Sequence, residues 1–383
     1  MNKQDNAHYF DTGPRGWLYF DANSIGAPPK LAPQRMARLL EEWRRLRRRG
    51  WRDADWLDAP LRLGDKLAPV IGARPGTVVV GDSTSVNLHK ALTIALTMTQ
   101  KRRPRRREIL SESGNFPTDL YVAANVARSH GFRLKLVDRP AQLEAAIGPR
   151  TAVLYLSHTD YRTGYRHDLR DMTRLAHARG ALAVWDLSHS AGAVPTELAR
   201  GDADFAVGCG YKYLCGGPGA PGYLYVAPRW QSGAEPAIAG WFGHAAPMAF
   251  EPRFRPARGV RRHAVGTPAV AGNVLLEAAL DAFGQVKLPA LFKRHAALSR
   301  LLIELAPAQL QLVSPENPDR RGGFVAFRCP NSAQLVDALE KRRIVASVRP
   351  PDIVRFGISP LYHREAEVRE LARRLRTAFK RAG

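Results

Sequence analysis

A lysine set between two tyrosines and trailed by glycines is the first feature of this chain with chemical potential. In DFAVGCGYKYLCGGPGAPGYLYV (204–226), Lys212 follows a buried-looking strand, and Gly216, Gly217, Gly219 and Gly222 come after it. Its amine therefore emerges where backbone can approach a ligand closely. Twenty-six residues upstream, in VWDLSHSAG (184–192), a second strand ends in Asp186, with His189 three residues further on. A third cluster, Ser83, Thr84 and Ser85 in GDSTSVNLHKAL (81–92), stands just ahead of a helix, where hydroxyls and unpaired N–H groups can converge on one anion. Each feature alone has a plainer account. A lysine beside a Gly-rich turn can simply snorkel, and Ser or Thr before a helix is most often only an N-cap. Asp186 and His189 could be a hydrogen-bonded pair or half of a metal site, although no further His or Cys with ligand spacing accompanies them.

Taken together, the three clusters suit one cofactor. A lysine able to form a Schiff base, a carboxylate at the carboxyl end of a parallel strand and a phosphate cradle are what pyridoxal phosphate requires. The carboxylate keeps the pyridine nitrogen protonated, so that the ring is an electron sink. No metal is expected.

The elements that must position these residues are legible as an α/β fold. Candidate strands are 77–81, 108–112, 133–138, 152–158, 182–189, 204–210 and 222–227, alternating with helical stretches at 86–98, 121–131 and 169–180. That alternation predicts a large seven-stranded, mostly parallel sheet wrapped by helices. After about residue 285 the pattern changes: GFVAFRC (323–329), AQLVDALEKR (333–342) and EVRELARRLRTAF (367–379) describe a smaller α+β unit. Its last helix is striped by Val368, Leu371, Leu375 and Phe379. The expected organisation is an N-terminal arm and helix packing with the small domain (1–60), a large α/β domain that binds the cofactor (61–285) and a small C-terminal α+β domain (286–383).

Composition narrows the function class. The 383 residues carry 58 Lys and Arg against 35 Asp and Glu, a formal charge of +23, which alone would suggest a nucleic-acid partner. The charge is spread along the chain, however, with only two runs. RRLRRR (44–49) ends a helix with the apolar stripe Met36, Leu39, Leu40, Trp43 and Leu46, which Gly50 is expected to close. KRRPRRR (101–107) falls where a surface loop is expected. Both read as solvated faces, with no dedicated nucleic-acid partner and no residues left over for a helix-turn-helix module. The longest strongly apolar stretches, such as LTIALTM (92–98), are far short of the ~20 residues that span a bilayer, so no membrane is expected. The N-terminal residues show no secretory pattern, and three scattered cysteines suit a reducing compartment, so the expected location is cytoplasmic.

The chain resembles the kynureninase family, fold-type I pyridoxal-phosphate enzymes of the aminotransferase class V group. The likeness is carried in order by YFDANSIGAPP (19–29), LGDKLAPVIGA (63–73), DSTSVNLHKAL (82–92), SGNFPTDLY (113–121), SHTDYRTGYRHDL (157–169), WDLSHSAGAVP (185–195), GCGYKYLCGGPGAPGYLYV (208–226), GWFGH (240–244), VGTPAV (265–270) and DIVRFGISPLY (352–362). The resemblance implies that Lys212 is the Schiff-base lysine, Asp186 the partner of the pyridine nitrogen and His189 the histidine beside it. It implies phosphate binding by Thr84, Ser85 and Tyr211, with Tyr211 also transferring protons. Phe116 would stack on the cofactor ring, with Asp119 three residues on and Ser157 as a further hydroxyl. Trp241 and Thr267 would complete the site from the partner subunit of a homodimer. Arg355 would grip the substrate α-carboxylate with its fork of donors, with Ser24 nearby in the substrate site.

The implied reaction is hydrolysis of L-kynurenine, or of 3-hydroxykynurenine, to anthranilate (or 3-hydroxyanthranilate) and L-alanine, in tryptophan catabolism. The alternative is another class V enzyme, a cysteine desulfurase or an aminotransferase. Desulfurases place a histidine over the ring and a reactive cysteine on a C-terminal loop, whereas here Phe116 takes the ring position and Cys329 lies in a strand-like run. DANSIG (21–26) departs from the more usual DGNSLG, the clustered arginines are foreign to the family pattern, and the Trp51 to Trp56 region leaves the substrate-ring pocket unassigned.

Overall fold

The computed structural model describes residues 6–380; the first five residues of the N-terminal segment lie outside it. The strands among the described residues are β1 (Leu18–Tyr19), β2 (Val78–Val80), β3 (Glu108–Glu112), β4 (Arg133–Val137), β5 (Thr151–Ser157), β6 (Leu182–Asp186), β7 (Phe205–Cys209), β8 (Gly222–Val226), β9 (Gln311–Leu312), β10 (Phe324–Arg328), β11 (Ile344–Val345), β12 (Ser347–Arg349) and β13 (Ile353–Gly357). The helices are α1 (Ala32–Leu46), α2 (Gly50–Asp53), α3 (Ala59–Leu67), α4 (Thr84–Arg102), α5 (Pro117–Ser129), α6 (Leu143–Ala146), α7 (Leu169–Ala178), α8 (Val270–Phe283), α9 (Leu288–Leu305), α10 (Ser332–Glu340) and α11 (Glu365–Lys380).

The seven expected strands form one sheet in the order β2-β8-β7-β6-β5-β3-β4. All its pairings are parallel except those of β8, which runs antiparallel to β2 and β7. Central strands β7 and β8 are buried along their whole length, and β5 is buried up to its final serine. Such continuous Val, Leu, Phe and Tyr runs are what a sheet covered on both faces demands. Two apolar cores fill the two faces. A four-stranded antiparallel sheet, β12-β13-β10-β9, lies toward the C-terminus. There Val368, Leu371 and Leu375 of α11 are buried as their spacing predicts, with Phe379 at the margin.

Some local expectations change. The strand expected over 182–189 ends at Asp186, because the chain turns back at once and Ser188 donates to the Asp186 carboxylate. Helix α4 begins at Thr84, two residues earlier than expected, with Ser83 as its N-cap. Gly50 does not close α1. The break falls at Arg47, in the left-handed region at φ 50°, and Gly50 begins α2. A Cβ at Gly50 would come within 2.5 Å of the Trp56 ring, so glycine is needed there for close packing. Of the α1 stripe only Leu39 is buried; Leu40 is 55% and Trp43 64% exposed. Nor is 101–107 merely solvated, since Arg103 donates to the Gly180 carbonyl and Arg106 to those of Thr151 and Arg179.

Two features bring the N-terminal segment to the functional edge of the sheet. Strand β1 pairs in parallel with β11, and Asp21 bridges to Gly357 at the end of β13. The chain then crosses the lysine loop: Gly26 N–H donates to the Tyr211 carbonyl at 2.8 Å. A Cβ on Gly26 would sit 2.3 Å from the Lys212 carbonyl oxygen, an approach that only glycine allows.

Candidate active site

The parallel strands end together, and their carboxyl ends carry the chemistry, as open α/β sheets require. Ser157 and Asp186 are paired in register at the last positions of β5 and β6, and Lys212 follows β7 by three residues. The lysine loop is folded back on itself by Cys215 N–H donating to the Lys212 carbonyl and Gly216 N–H donating to that of Gly210. This loop delivers Lys212 Nζ to within 3.1 Å of His189 Nε2. Burial, and then the Lys212 charge, hold the His189 imidazole well below its ordinary range. It is therefore neutral beside the amine.

Asp186 is buried and accepts from the N–H and Oγ of Ser188 at 2.9 and 2.6 Å, while Ser157 Oγ lies 3.4 Å from its other oxygen. A second buried carboxyl, Asp119, stands alongside. Tyr155 donates its hydroxyl to Asp119 at 2.5 Å, and Ser157 Oγ is 3.5 Å from the same oxygen and 2.7 Å from Asn115 Oδ1. Burial, and then the Asp186 charge, raise Asp119 to about 8; burial raises Asp186 as well. Of the two, Asp186 has the backbone N–H that stabilises a carboxylate, so Asp119 holds the proton and Asp186 the charge.

A titration follows from that assignment. A folded-state value of about 8 against an ordinary 3.8 means that the Asp119 proton stabilises the fold at low pH, and that this contribution is lost as pH rises through the folded value. Asp119→Asn should therefore flatten the decline in Tm of the apoprotein between about pH 4 and pH 8. An unaltered slope in thermal scans would show that the proton resides elsewhere.

At the amino-acid end, Arg355 on β13 is fully buried and its hydrogen bonds run to neutral oxygens: the Tyr161 carbonyl at 2.5 Å, and Ser347 Oγ at 3.1 and 3.3 Å. Burial, and then neighbouring Arg349, push its guanidinium down to about 9. A buried guanidinium held by neutral partners is a receptor for a carboxylate. Its Cζ lies 5.1 Å from the Phe324 ring centre, which is 6.1 Å from that of His189, so one aromatic ring stands between Arg355 and the neighbour of Lys212. Phe116, at the N-cap of α5, packs edge-on against Tyr161 at 5.2 Å. Ser24 gives its hydroxyl to Asp21, at 2.8 Å, in the segment that crosses the lysine loop.

Thr84 and Ser85 form the first turn of α4. Gly222 N–H donates to the Asp82 carbonyl and Gly81 N–H to that of Gly222, which seats this turn against β8 beside the end of β7. Tyr211 is half-buried, with its ring centre 5.8 Å from Lys212 Nζ; burial pushes its phenol up, so it keeps its proton. Trp241 and Thr267 are exposed, and among the described residues no hydrogen bond joins either to the lysine cluster. Trp241 heads an aromatic file through Phe242 and Trp51 to Trp56. Sequence reasoning missed Asn115, Tyr155 and Ser188. Tyr155 carried a signal, since in a strand it must face the same side as Ser157.

This donor set fits pyridoxal phosphate. A buried carboxylate is braced on one side by Ser188, an amine stands beside a neutral imidazole, and a helix N-terminus with two hydroxyls is available for a phosphate. The fold agrees. The structure superposes on a mutant of C-DES carrying glycine covalently linked to its PLP cofactor (TM-score 0.82, 20% identity, 96% of this chain and 98% of that one). It also superposes on the cysteine desulfurase CsdA of Escherichia coli (TM-score 0.81, 19% identity, 99% of each chain). The fold is thus the fold-type I architecture that these two proteins share.

The sequence comparison goes further. Over 363 residues the chain is 44% identical to the kynureninase of Pseudomonas fluorescens, covering 93% of this chain and 87% of that protein. Over 371 residues it is 40% identical to the kynureninase of Burkholderia pseudomallei strain K96243, covering 95% and 89%. The family model for the kynureninase C-terminal domain matches residues 291–375. This chain belongs to the kynureninase family.

Proposed function

We propose that the protein is a pyridoxal-phosphate enzyme that hydrolyses the Cβ–Cγ bond of L-kynurenine to anthranilate and L-alanine, and takes 3-hydroxykynurenine as a second substrate. The observation that carries this reading is Lys212 Nζ beside a neutral His189, on the same strand ends as the charged Asp186 and joined to Arg355 through the Phe324 ring that both His189 and Arg355 approach. When bound, the cofactor supplies an aldehyde for the substrate amine and a ring that withdraws electrons.

The chain's own residues do the rest. Arg355 binds the α-carboxylate, with Ser24 at the edge of the same site. Asp186, oriented by Ser188 and Ser157, keeps a proton on the ring nitrogen, and His189 stands beside the amine. Lys212 moves protons at the substrate Cα. Tyr211, held protonated, donates toward the γ-carbonyl side and binds phosphate with Thr84 and Ser85. Phe116, Ser157 and the neutral Asp119 would help to hold the cofactor ring.

Trp241 and Thr267 would act across the two-fold axis of a homodimer with shared sites. The exposed Leu40 and Trp43 on α1 support such an assembly. The division into an arm (1–60), a cofactor domain (61–285) and a small domain (286–383) belongs to the same reading, supported by β1 pairing with β11. So does a cytoplasmic location. Among the described residues no helix is long and apolar enough to cross a membrane.

Incubation of the purified protein with L-kynurenine should release fluorescent anthranilate. Cys209, Cys215 and Cys329 are all buried. Replacing the three with Ser or Ala should leave that release largely intact, apart from packing losses. Sulfide released from cysteine in a Cys329-dependent way, with no anthranilate from kynurenine, would move the protein to the desulfurases.

A further inference from the structure

Helix α4 buries a cation. Lys90 is 2% exposed, and its Nζ lies 2.7 Å from Asp82 Oδ2 and 3.0 Å from the carbonyl oxygen of His263. An ammonium withdrawn from water is costly unless its partners hold it well. Both partners belong to segments that matter. Asp82 adopts the left-handed region at φ 53°, which aspartate tolerates better than most residues, immediately before the Ser83 N-cap. Its carbonyl is tied to Gly222, and Asn87 Nδ2 donates to the Gly81 carbonyl at 2.7 Å. The turn over 81–85 is therefore pinned through its backbone to β8 and through the Asp82 carboxylate to Lys90.

The electrostatics explain why a lysine is needed. A carboxylate within two residues of Thr84 would repel a phosphate at the start of α4. The Lys90 ammonium neutralises it. On its other side, Lys90 holds the His263 carbonyl at the end of the turn Gly259–His263, just before Val265, whose carbonyl accepts from Phe242 beside Trp241. The His263 ring is itself buried with both nitrogens unpaired, and burial followed by the Lys90 charge lowers it to about 3, so it adds no second charge.

We propose that Lys90 is a positioning residue for the phosphate end of the cofactor, neutralising Asp82 and locking the turn over 81–85 so that the first N–H groups of α4 face the anion. This rests on Thr84 and Ser85 being the phosphate-binding pair. The test is titration of the apoprotein with pyridoxal phosphate and, separately, with pyridoxal, which lacks the phosphate. In Lys90→Met the Kd for pyridoxal phosphate should rise at least about tenfold, while that for pyridoxal stays within about threefold. Lys90→Gln keeps a donor for the His263 carbonyl but not the charge, and should show the same selective loss. Adding Asp82→Asn to Lys90→Met should restore most of the affinity, because the uncompensated carboxylate is gone. Equal losses for both ligands, or an unchanged Kd for pyridoxal phosphate, would overturn the role. Thr84→Ala/Ser85→Ala separates the two claims. If it leaves the phosphate ligand's affinity untouched, the phosphate assignment falls and Lys90 with it; if it weakens binding while the Lys90 variants do not, only the Lys90 inference falls.

Discussion

Lys212→Ala should lose anthranilate formation almost entirely, by at least about four orders of magnitude, or roughly 5.4 kcal/mol of barrier. The amine has two tasks that no neighbour can assume. On the proposed function it would bond to the cofactor aldehyde and move protons at the substrate Cα. The nearest nitrogen, His189 Nε2, is 3.1 Å away and held neutral, but an imidazole cannot form the same covalent bond. The variant should still bind the cofactor without bonding to it, since Thr84, Ser85, Asp186 and Phe116 are untouched. The measurement that isolates the bond is borohydride reduction of the loaded protein followed by peptide mass analysis. The wild-type chain should carry the cofactor on the peptide containing residue 212, and the variant on none. A label found on another lysine would move the catalytic amine.

Asp186→Asn should be the next most damaging change, with turnover reduced by at least about two orders of magnitude, equivalent to roughly 2.7 kcal/mol. The substitution preserves size and the bond from Ser188 N–H, but removes the negative charge that, on the proposed function, would keep a proton on the ring nitrogen. The neighbouring pair sharpens the expectation. With Asp186 neutral, the like charge that helps to raise Asp119 disappears, so the Asp119 value should fall toward the ordinary carboxylate range. Burial, the larger cause, still holds Asp119 up, and any charge that does arise there lies on the neighbouring carboxyl and substitutes poorly. Near-normal turnover, measured as anthranilate fluorescence at saturating cofactor, would show that the working carboxylate is a different one.

Much of this arrangement was legible in the sequence because buried parallel strands advertise themselves. Seven apolar runs became seven strands of one sheet, and Asp186 and Lys212 fell at their ends because strand ends were marked by the change from apolar to polar and glycine residues. What stayed hidden depends on contacts between distant segments. Tyr155 reads as one more aromatic in VLYLS until Asp119, 36 residues earlier, is seen to accept its hydrogen bond. Ser188 hid inside what looked like continuing strand. Lys90 drew no notice, since nothing local says that Asp82 and a carbonyl 173 residues away will enclose it. Gly50 misled because a glycine after a basic run imitates a helix stop, when the real constraint was the flat face of Trp56. The α1 stripe was read correctly as apolar, but Leu40 and Trp43 face outward from the single chain.

The crossing of the lysine loop by the N-terminal segment also fixes an order of events during synthesis. Residues 18–27 are made early, yet several of their anchors come much later: β1 waits for β11, Asp21 for Gly357, and Asn23 for Ser347 Oγ, 324 residues on, while Gly26 needs only Tyr211. The seven strands of the large sheet are complete once residue 226 has emerged, so that sheet can assemble while translation continues. Contacts of such long sequence separation are the slow ones to close. The N-terminal segment can therefore meet the lysine loop through the Gly26 bond to Tyr211 before the contacts of Asp21 and Asn23 with residues 347–357 exist, so its cover over Lys212 is tightened in two stages.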